Sequence, residues 1–275
     1  MNRTLQEMQS ISRHWEPGKK IGFIPTMGYL HEGHISLVKA AEAECDIIVV
    51  SIYVNPSQFG PNEDFSKYPR DLEHDLKQLS QCKVDYLFFP SDKEMYPDNY
   101  RTWVSVDGLS DVLCGKSRPG HFRGVSTIVL KLINLVHPTY MYMGLKDYQQ
   151  IVVLEKMISD LHLPTIIRRC PIVRESDGLA MSSRNKYLDA DERQRALSLS
   201  NSLQVVREYV AAGGSDVREA KGMMQAKIIE AEGRIDYIEI ADSKTLQPVE
   251  RIESGNRALV AVYFGKTRLI DNMEL

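Results

Sequence analysis

Short β-branched runs and wider-spaced apolar stripes alternate through the first two thirds of the chain. Ile21 to Ile24 is a brief apolar run, and Ile35, Val38 and Ala41 follow on one helical face. Between Asp46 and Asn55 the run IIVVSIYV is continuous, as in a strand buried on both faces. Leu72, Leu76 and Leu79 mark the next helix, Val84 to Phe89 the next strand, and Thr102 to Val106 a further strand. Val125 to Val136 predicts an apolar helix that stops at His137-Pro138, where proline forbids continuation. Thr139 to Met143 reads as a strand, Asp147 to Leu161 as a helix, and Thr165 to Val173 as a last strand interrupted by Pro171.

This rhythm predicts an α/β fold, a Rossmann-like parallel sheet with helices on both faces. The final hundred or so residues change character. Helical stretches over 189–211 and 216–231 flank Gly213-Gly214, and strand-like runs follow at Ile235 to Ile240 and Ala258 to Phe264. These predict a smaller α+β C-terminal domain, so the division falls into 1–173 and 174–275, with the polar segment 174–186 as the joint. Parallel sheets of this kind bind ligands beyond the carboxyl ends of their strands. The polar and glycine-bearing segments after Ile24, Val54, Met143 and Val173 are therefore where chemistry is expected.

Composition narrows the class. A chain of 275 residues accommodates one large and one small domain. A net charge of −3 offers no whole-molecule attraction for nucleic acid. Cys45, Cys82, Cys114 and Cys170 are far apart and form no C-x-x-C pair, so neither a disulfide framework nor a zinc site is indicated, and a reducing cytoplasm is expected. The N-terminal MNRTLQEMQSISRHW is polar and amphipathic without the apolar core of a signal peptide, and no stretch approaches the ~20 apolar residues of a membrane span.

Five segments carry candidate chemistry. In Pro25-TMGYLHEG-His34 a strand gives way to a glycine turn and a helix near His34, whose N-terminus favours phosphate. His31 and His34 can face the same phosphates and donate hydrogen bonds to developing charge. The same spacing also suits a turn with two solvent histidines, or a metal site lacking further obvious ligands. After the buried strand, Asn55 and Gln58 can bind hydroxyl or carboxylate groups, or Asn55-Pro56 can be turn chemistry alone. Asp71, Glu73, His74 and Asp75 read as the solvated face of the helix that buries Leu72, Leu76 and Leu79, with a magnesium role for Asp75 as the alternative. Ser117-RPGHFR-Gly124 sets Arg118, His121 and Arg123 beside glycines, as in an anion-binding or lid loop, or in a plain surface loop. In Met143-GLKDYQQ-Ile151, Asp147 suits a helix N-cap or first turn, Lys146 projects a point charge toward phosphates, and Gln150 lies on the same turn. In Met181-SSR-Asn185, Ser182 and Ser183 donate and Arg184 neutralises, as in a mobile phosphate clamp, or the segment is a linker.

Taken together, P-T-M-G-x-L-H-E-G-H, V-N-P-x-Q-F, Y-P-R, R-P-G-H-F-x-G-V, G-x-K-D-x-Q-Q and M-S-S-R-N occur here in the order seen in pantothenate synthetases. The resemblance runs from about residue 20 to 190. H-E-G-H also resembles the HIGH element of class I synthetases and nucleotidyltransferases. The resemblance implies an ATP-dependent, AMP-forming ligase that condenses pantoate with β-alanine through pantoyl-adenylate. It implies Mg2+ as cofactor and a homodimer, with no nucleic-acid or membrane partner. By the same resemblance His34, His31 and Lys146 are catalytic. The ATP site takes Met27, Gly28, Tyr29, Leu30, His31, Glu32, Gly33 and His34, then Gly144, Leu145, Lys146 and Asp147, then Val173, Met181, Ser182, Ser183 and Arg184. Gln58, Gln150 and Asn55 hold pantoate, Gln58 also meeting β-alanine, while Tyr68, Arg118 and His121 are further candidates. The C-terminal domain would act as a lid over the site, with 174–186 as its moving part.

The chain departs from the pattern twice. Where some relatives carry an acidic pair associated with magnesium, it has His74-Asp75, so either Asp75 holds the ion or ATP phosphates and water do. Position 145 is Leu where several relatives have Glu. Two rivals differ in chemistry: another HIGH-class enzyme, and a nucleotide-binding sensor, which would need neither paired imidazoles nor two glutamines.

Overall fold

A computed structural model describes residues 1–61 and 63–275. Helix α1 (Leu5–Ser12) opens on a reciprocal cap between Thr4 and Glu7 and buries Met8. Then come β1 (Ile21–Thr26), α2 (Glu32–Glu42), β2 (Ile47–Ile52), α3 (Leu72–Leu79), β3 (Tyr86–Phe88) and the single turn α4 (Asp92–Met95). They are followed by α5 (Cys114–Ser117), α6 (His121–Val136), β4 (Tyr140–Gly144), α7 (Tyr148–Asp160) and β5 (Ile166–Cys170). The last part holds α8 (Ala190–Ala196), α9 (Ser198–Ala211), α10 (Val217–Glu230), β6 (Arg234–Ala241), β7 (Arg257–Phe264) and β8 (Thr267–Glu274). Two compact units result. The first takes Met1–Ser110, Arg118–Leu145 and Gln150–Pro171; the second takes Asp111–Ser117, Lys146–Gln149 and Ile172–Leu275.

In the first unit five parallel strands run in the order β3-β2-β1-β4-β5. The chain moves outward from β1 through β2 to β3, then returns to the other side of β1 with β4. That reversal is the switch point at which such sheets leave a crevice for ligands. β1 ends in the segment that carries His31 and His34, and β4 ends at Gly144. Every residue of β2 from Ile48 to Ile52 is buried, which accounts for its unbroken β-branched run. Ile24, Leu30, Ile35, Val38, Ile48, Val50 and Ile52 form part of one core under α2. At the outer edge β3 is paired by Asn2, whose N–H donates to Leu87 O (2.8 Å) and whose carbonyl accepts from Phe89 N (2.8 Å).

The second unit carries an antiparallel sheet in the order β6-β7-β8. Leu199, Leu203, Val206, Met224 and Ile228 from its helices pack with Val260, Val262 and Phe264.

Several expectations need correction. Thr102 to Val106 is no strand: the Val104 N–H donates to the Thr127 hydroxyl (3.0 Å), a side-chain partner where a strand would need a ladder. Leu76 is 42% exposed and Asp75 takes the inward position. α6 starts at His121, not Val125, so His121 and Arg123 are helical. The stretch 189–211 is interrupted at Leu197. β8 escaped the hydropathy reading because its buried positions include the polar Asp271 and Asn272.

Candidate active site

The turn after β1 is unusual in its backbone. Gly28 has φ 82° and Tyr29 φ 52°, two successive residues in the left-handed region. Glycine adopts this freely, whereas tyrosine needs outside support. The chain then enters α2 with His31 as N-cap. The Gly33 N–H donates to His31 Nδ1 (3.2 Å), and the His31 N–H donates to His34 Nδ1 (3.3 Å). The two imidazoles thus form a reciprocal cap of the kind that Ser or Thr and Glu usually make. Their rings lie with centroids 4.1 Å apart. Because each Nδ1 accepts a backbone N–H, a neutral ring carries its proton on Nε2. The fold therefore sets two Nε2–H donors side by side at a helix N-terminus, where the peptide dipoles favour an anion.

This turn rests on α3. The Tyr29 and Leu30 N–H groups donate to Asp75 Oδ2 (3.0 Å) and Oδ1 (2.6 Å). Asp75 is 2% exposed, and burial pushes its carboxyl above the usual range despite those two hydrogen bonds. The His74 Nε2–H donates to Leu30 O (2.8 Å), and its ring stacks on Tyr29 with centroids 5.3 Å apart. Neither residue lies on a solvated face.

Beyond β2, Asn55 and Gln58 are buried. Asn55 Oδ1 accepts from the Ser57 N–H (3.3 Å) and hydroxyl (2.9 Å), which is turn chemistry. Asn55 Nδ2 donates to Gln58 Oε1 (3.1 Å) and to Gly124 O (3.2 Å). Gln58 Nε2 is directed at Met27 Sδ (3.0 Å), a weak acceptor. Gly124 in α6 lies so close that a Cβ there would run into the Ser57 carbonyl. The Ser57 hydroxyl meets Tyr96 OH (2.9 Å), whose phenol burial pushes up to about 12.

Arg118 and His121 lie in this network and not at the tip of a loop. Arg118 Nε and Nη2 donate to Glu63 (2.8 and 2.5 Å), and Nη2 also reaches Gln58 O (3.3 Å). His121 Nδ1 donates to the same carbonyl (2.8 Å). Tyr68 is buried, with its ring edge on Phe59.

Gly144 closes β4, Leu145–Asp147 make a 3-10 turn, and Gln150 is half-buried on the first turn of α7. The adjacent Gln149 is buried, donates to Val112 O (2.8 Å) and accepts from the Cys114 N–H (3.0 Å). In the second unit Lys146 Nζ lies 3.6 Å from Asp147, and Lys146 O accepts from Asn272 Nδ2 (3.0 Å). Val173 O accepts the Met181 N–H (3.0 Å), closing a hairpin around residues 174–180. Ser182 caps the turn Ser183–Tyr187 by accepting from the Arg184 N–H (3.2 Å). Within that unit Arg174 holds the buried Asp271 (2.6 and 3.0 Å), and Arg193 holds Glu175 and Asp177 (2.6 Å each). Residues 174–186 fall within the second unit.

Among the described residues no group of three or more His, Cys, Asp or Glu side chains could hold a metal ion. Both Asp75 oxygens already accept a backbone N–H group, and the side chain is 2% exposed with no cluster of further ligands beside it among the described residues. Sequence reasoning missed the role of His74, Asp75, Glu63 and Gly124. For Asp75 the spacing is ambiguous: Leu72 and Leu79 share a stripe with residue 75 at i+3 as well as with residue 76 at i+4.

Comparison with known proteins bears on these residues as a set. The family model described as pantoate-beta-alanine ligase matches residues 1–274. A pantothenate synthetase from Fervidobacterium nodosum is 53% identical over 272 residues, covering 98% of this chain and 97% of its own. The crystal structure of a pantothenate synthetase from Thermus thermophilus superposes with a TM-score of 0.94 at 44% identity, covering 100% and 99% of the two chains. That of a pantoate-beta-alanine ligase from Francisella tularensis, complexed with beta-gamma ATP and beta-alanine, gives 0.83 at 37% identity, covering 99% and 96%.

Proposed function

The chain belongs to the pantoate-beta-alanine ligase family, and on that premise we propose how its own residues perform the ATP-dependent ligation that forms pantothenate. Pantoate attacks the α-phosphate of ATP, giving pantoyl-adenylate and pyrophosphate. The β-alanine amine then displaces AMP from the mixed anhydride. Negative charge grows on the phosphate oxygens in the first step, and fixed donors aimed at that charge lower its barrier.

His34 and His31 supply those donors through Nε2–H. The observation that carries this assignment is their reciprocal cap, which commits both Nδ1 atoms to backbone N–H groups. Gln58 and Gln150 bind pantoate without repelling its carboxylate. Asn55 orients Gln58 by holding its oxygen, and the Gln58 amide N–H can leave the thioether of Met27 for a substrate oxygen at little cost. Met27 to His34 and Gly144 to Leu145 line the nucleotide. Lys146, Asp147, Val173 and Met181 to Arg184 are assigned to ATP by their motifs, with Lys146 and Arg184 supplying charge to phosphates.

Magnesium accompanying ATP would neutralise phosphate charge, and among the described residues no group of three or more His, Cys, Asp or Glu side chains could hold a separate ion. We further propose a homodimer, checked by light scattering, working in a reducing compartment that suits four free thiols. No helix among the described residues is long and apolar enough to cross a membrane. The test of the reaction is AMP release on mixing ATP, pantoate and β-alanine, with each omitted in turn. Pantoate-dependent exchange of pyrophosphate into ATP, without β-alanine, reports the adenylate. Absence of both from folded protein would refute the assignment.

A further inference from the structure

We propose that Asp75 and His74 are positioning residues for the reaction: they hold the Gly28–Leu30 turn in the conformation that aims His31 and His34. The inference rests on the assignment of those two histidines to the ATP phosphates.

The backbone supplies the first part of the argument. Gly28 and Tyr29 are both left-handed. Two successive positive φ values mark a tight turn of the primed kind, and the N–H groups of Tyr29 and Leu30 leave it toward one acceptor. Backbone N–H groups gathered at a turn can hold an anion, as the loops of nucleotide-binding proteins hold a substrate phosphate. Here the anion belongs to the chain, since the Tyr29 and Leu30 N–H groups both end on Asp75 (3.0 and 2.6 Å). The carboxylate also lies against Gly28, where a Cβ would stand 2.9 Å from Oδ2. The turn is therefore shaped around Asp75 before any ligand arrives, and these N–H groups are not offered to ATP.

His74 acts from the same helix on the opposite polarity. Its Nε2–H holds Leu30 O (2.8 Å), and its ring stacks on Tyr29, the residue whose positive φ needs support. Leu30 is thus held at both its N–H and its C=O by adjacent residues of α3. The next residue is the N-cap His31. A small change in ψ at Leu30 would swing both imidazoles, because His34 is tied to the His31 N–H. Enzymes keep donors in place in this way, through neighbours that touch no substrate.

Two other roles for Asp75 make different predictions. A magnesium ligand would need an oxygen turned toward the cation. A purely structural carboxylate would change stability and leave turnover in the folded variant untouched. The experiment is steady-state kinetics of Asp75→Asn at a temperature well below its melting point, with ATP, pantoate, β-alanine and Mg2+ each varied. Expected is a fall in kcat of about 10- to 100-fold, with KM for pantoate within about threefold and half-saturating Mg2+ unchanged. Restoration of kcat by excess Mg2+ would make Asp75 a metal ligand and overturn the proposal, as would unchanged kcat.

His74 provides a second arm that does not leave a buried charge unpaired. His74→Gln keeps a donor at the Nε2 position and is expected to retain most of the turnover. His74→Ala removes it and is expected to lower kcat at least tenfold. Equal kcat for the two folded variants would overturn the proposal even where Asp75→Asn fails to fold. A parallel His34→Ala measurement separates the premises: normal turnover there would refute the histidine assignment itself, whatever Asp75 does.

Discussion

Arg118 grips Glu63 with two nitrogens of its guanidinium, at 2.8 and 2.5 Å. Burial alone would raise the Glu63 carboxyl, but the hydrogen bonds and charge of Arg118 outweigh it and hold the group below the usual range. A carboxyl held low in the folded state adds stability above the ordinary carboxylate range and loses it as pH falls through the folded value. Glu63→Gln should cost about 1 kcal/mol at neutral pH. The gap in urea midpoint between the two proteins should close as pH falls through the lowered Glu63 carboxyl. A gap that stays constant with pH would show that the ion pair contributes nothing.

His34→Ala should fold, because α2 loses one half of a cap worth about 1 kcal/mol. Turnover should fall by roughly 100- to 1,000-fold if His34 donates to developing phosphate charge. Circular dichroism checks the first part and pyrophosphate exchange the second.

Gly124→Ala should do more damage than its single methyl suggests. The new Cβ meets the Ser57 carbonyl and Gln58 nitrogen, both backbone atoms. Overpacking of this kind costs about 1–3 kcal/mol. Because the strain falls on the turn that carries Gln58, the KM for pantoate should rise as well. Thermal melting and pantoate titration read the two effects separately.

Arg174→Ala should weaken the second unit. Asp271 is 3% exposed and would lose its charged partner, a change that typically costs 3–5 kcal/mol, so about 3 kcal/mol is expected for a half-buried arginine. Limited proteolysis within 172–275 should speed up, and Asp271→Asn in the same background should recover part of the loss.

Much of this was legible in the residues before any coordinates. β2 is readable because both its faces are covered, which forces a continuous apolar run. The histidine turn is readable because its glycines and imidazoles come in a fixed order. What could not be read depends on distant partners. Leu72 and Leu79 fit a stripe through residue 75 or residue 76 equally well, and only the N–H groups of Tyr29 and Leu30 make the carboxylate the inward choice. Asp271 and Asn272 disguised β8 because their partners, Arg174, Arg257 and the Lys146 carbonyl, come from other parts of the chain. Arg118 reads equally as part of an anion-binding loop or of a surface loop, and no local pattern shows its pairing with Glu63, 55 positions earlier.

The pairing of Asn2 with β3 has a consequence for handling the protein. β3 is a short outer strand, and such edges invite other chains to add themselves. Both backbone hydrogen bonds that blunt it come from one residue. Trimming the first few residues would leave the turns proposed for catalysis untouched yet bare a sticky border, so the shortened protein should aggregate on concentration while its dilute activity persists.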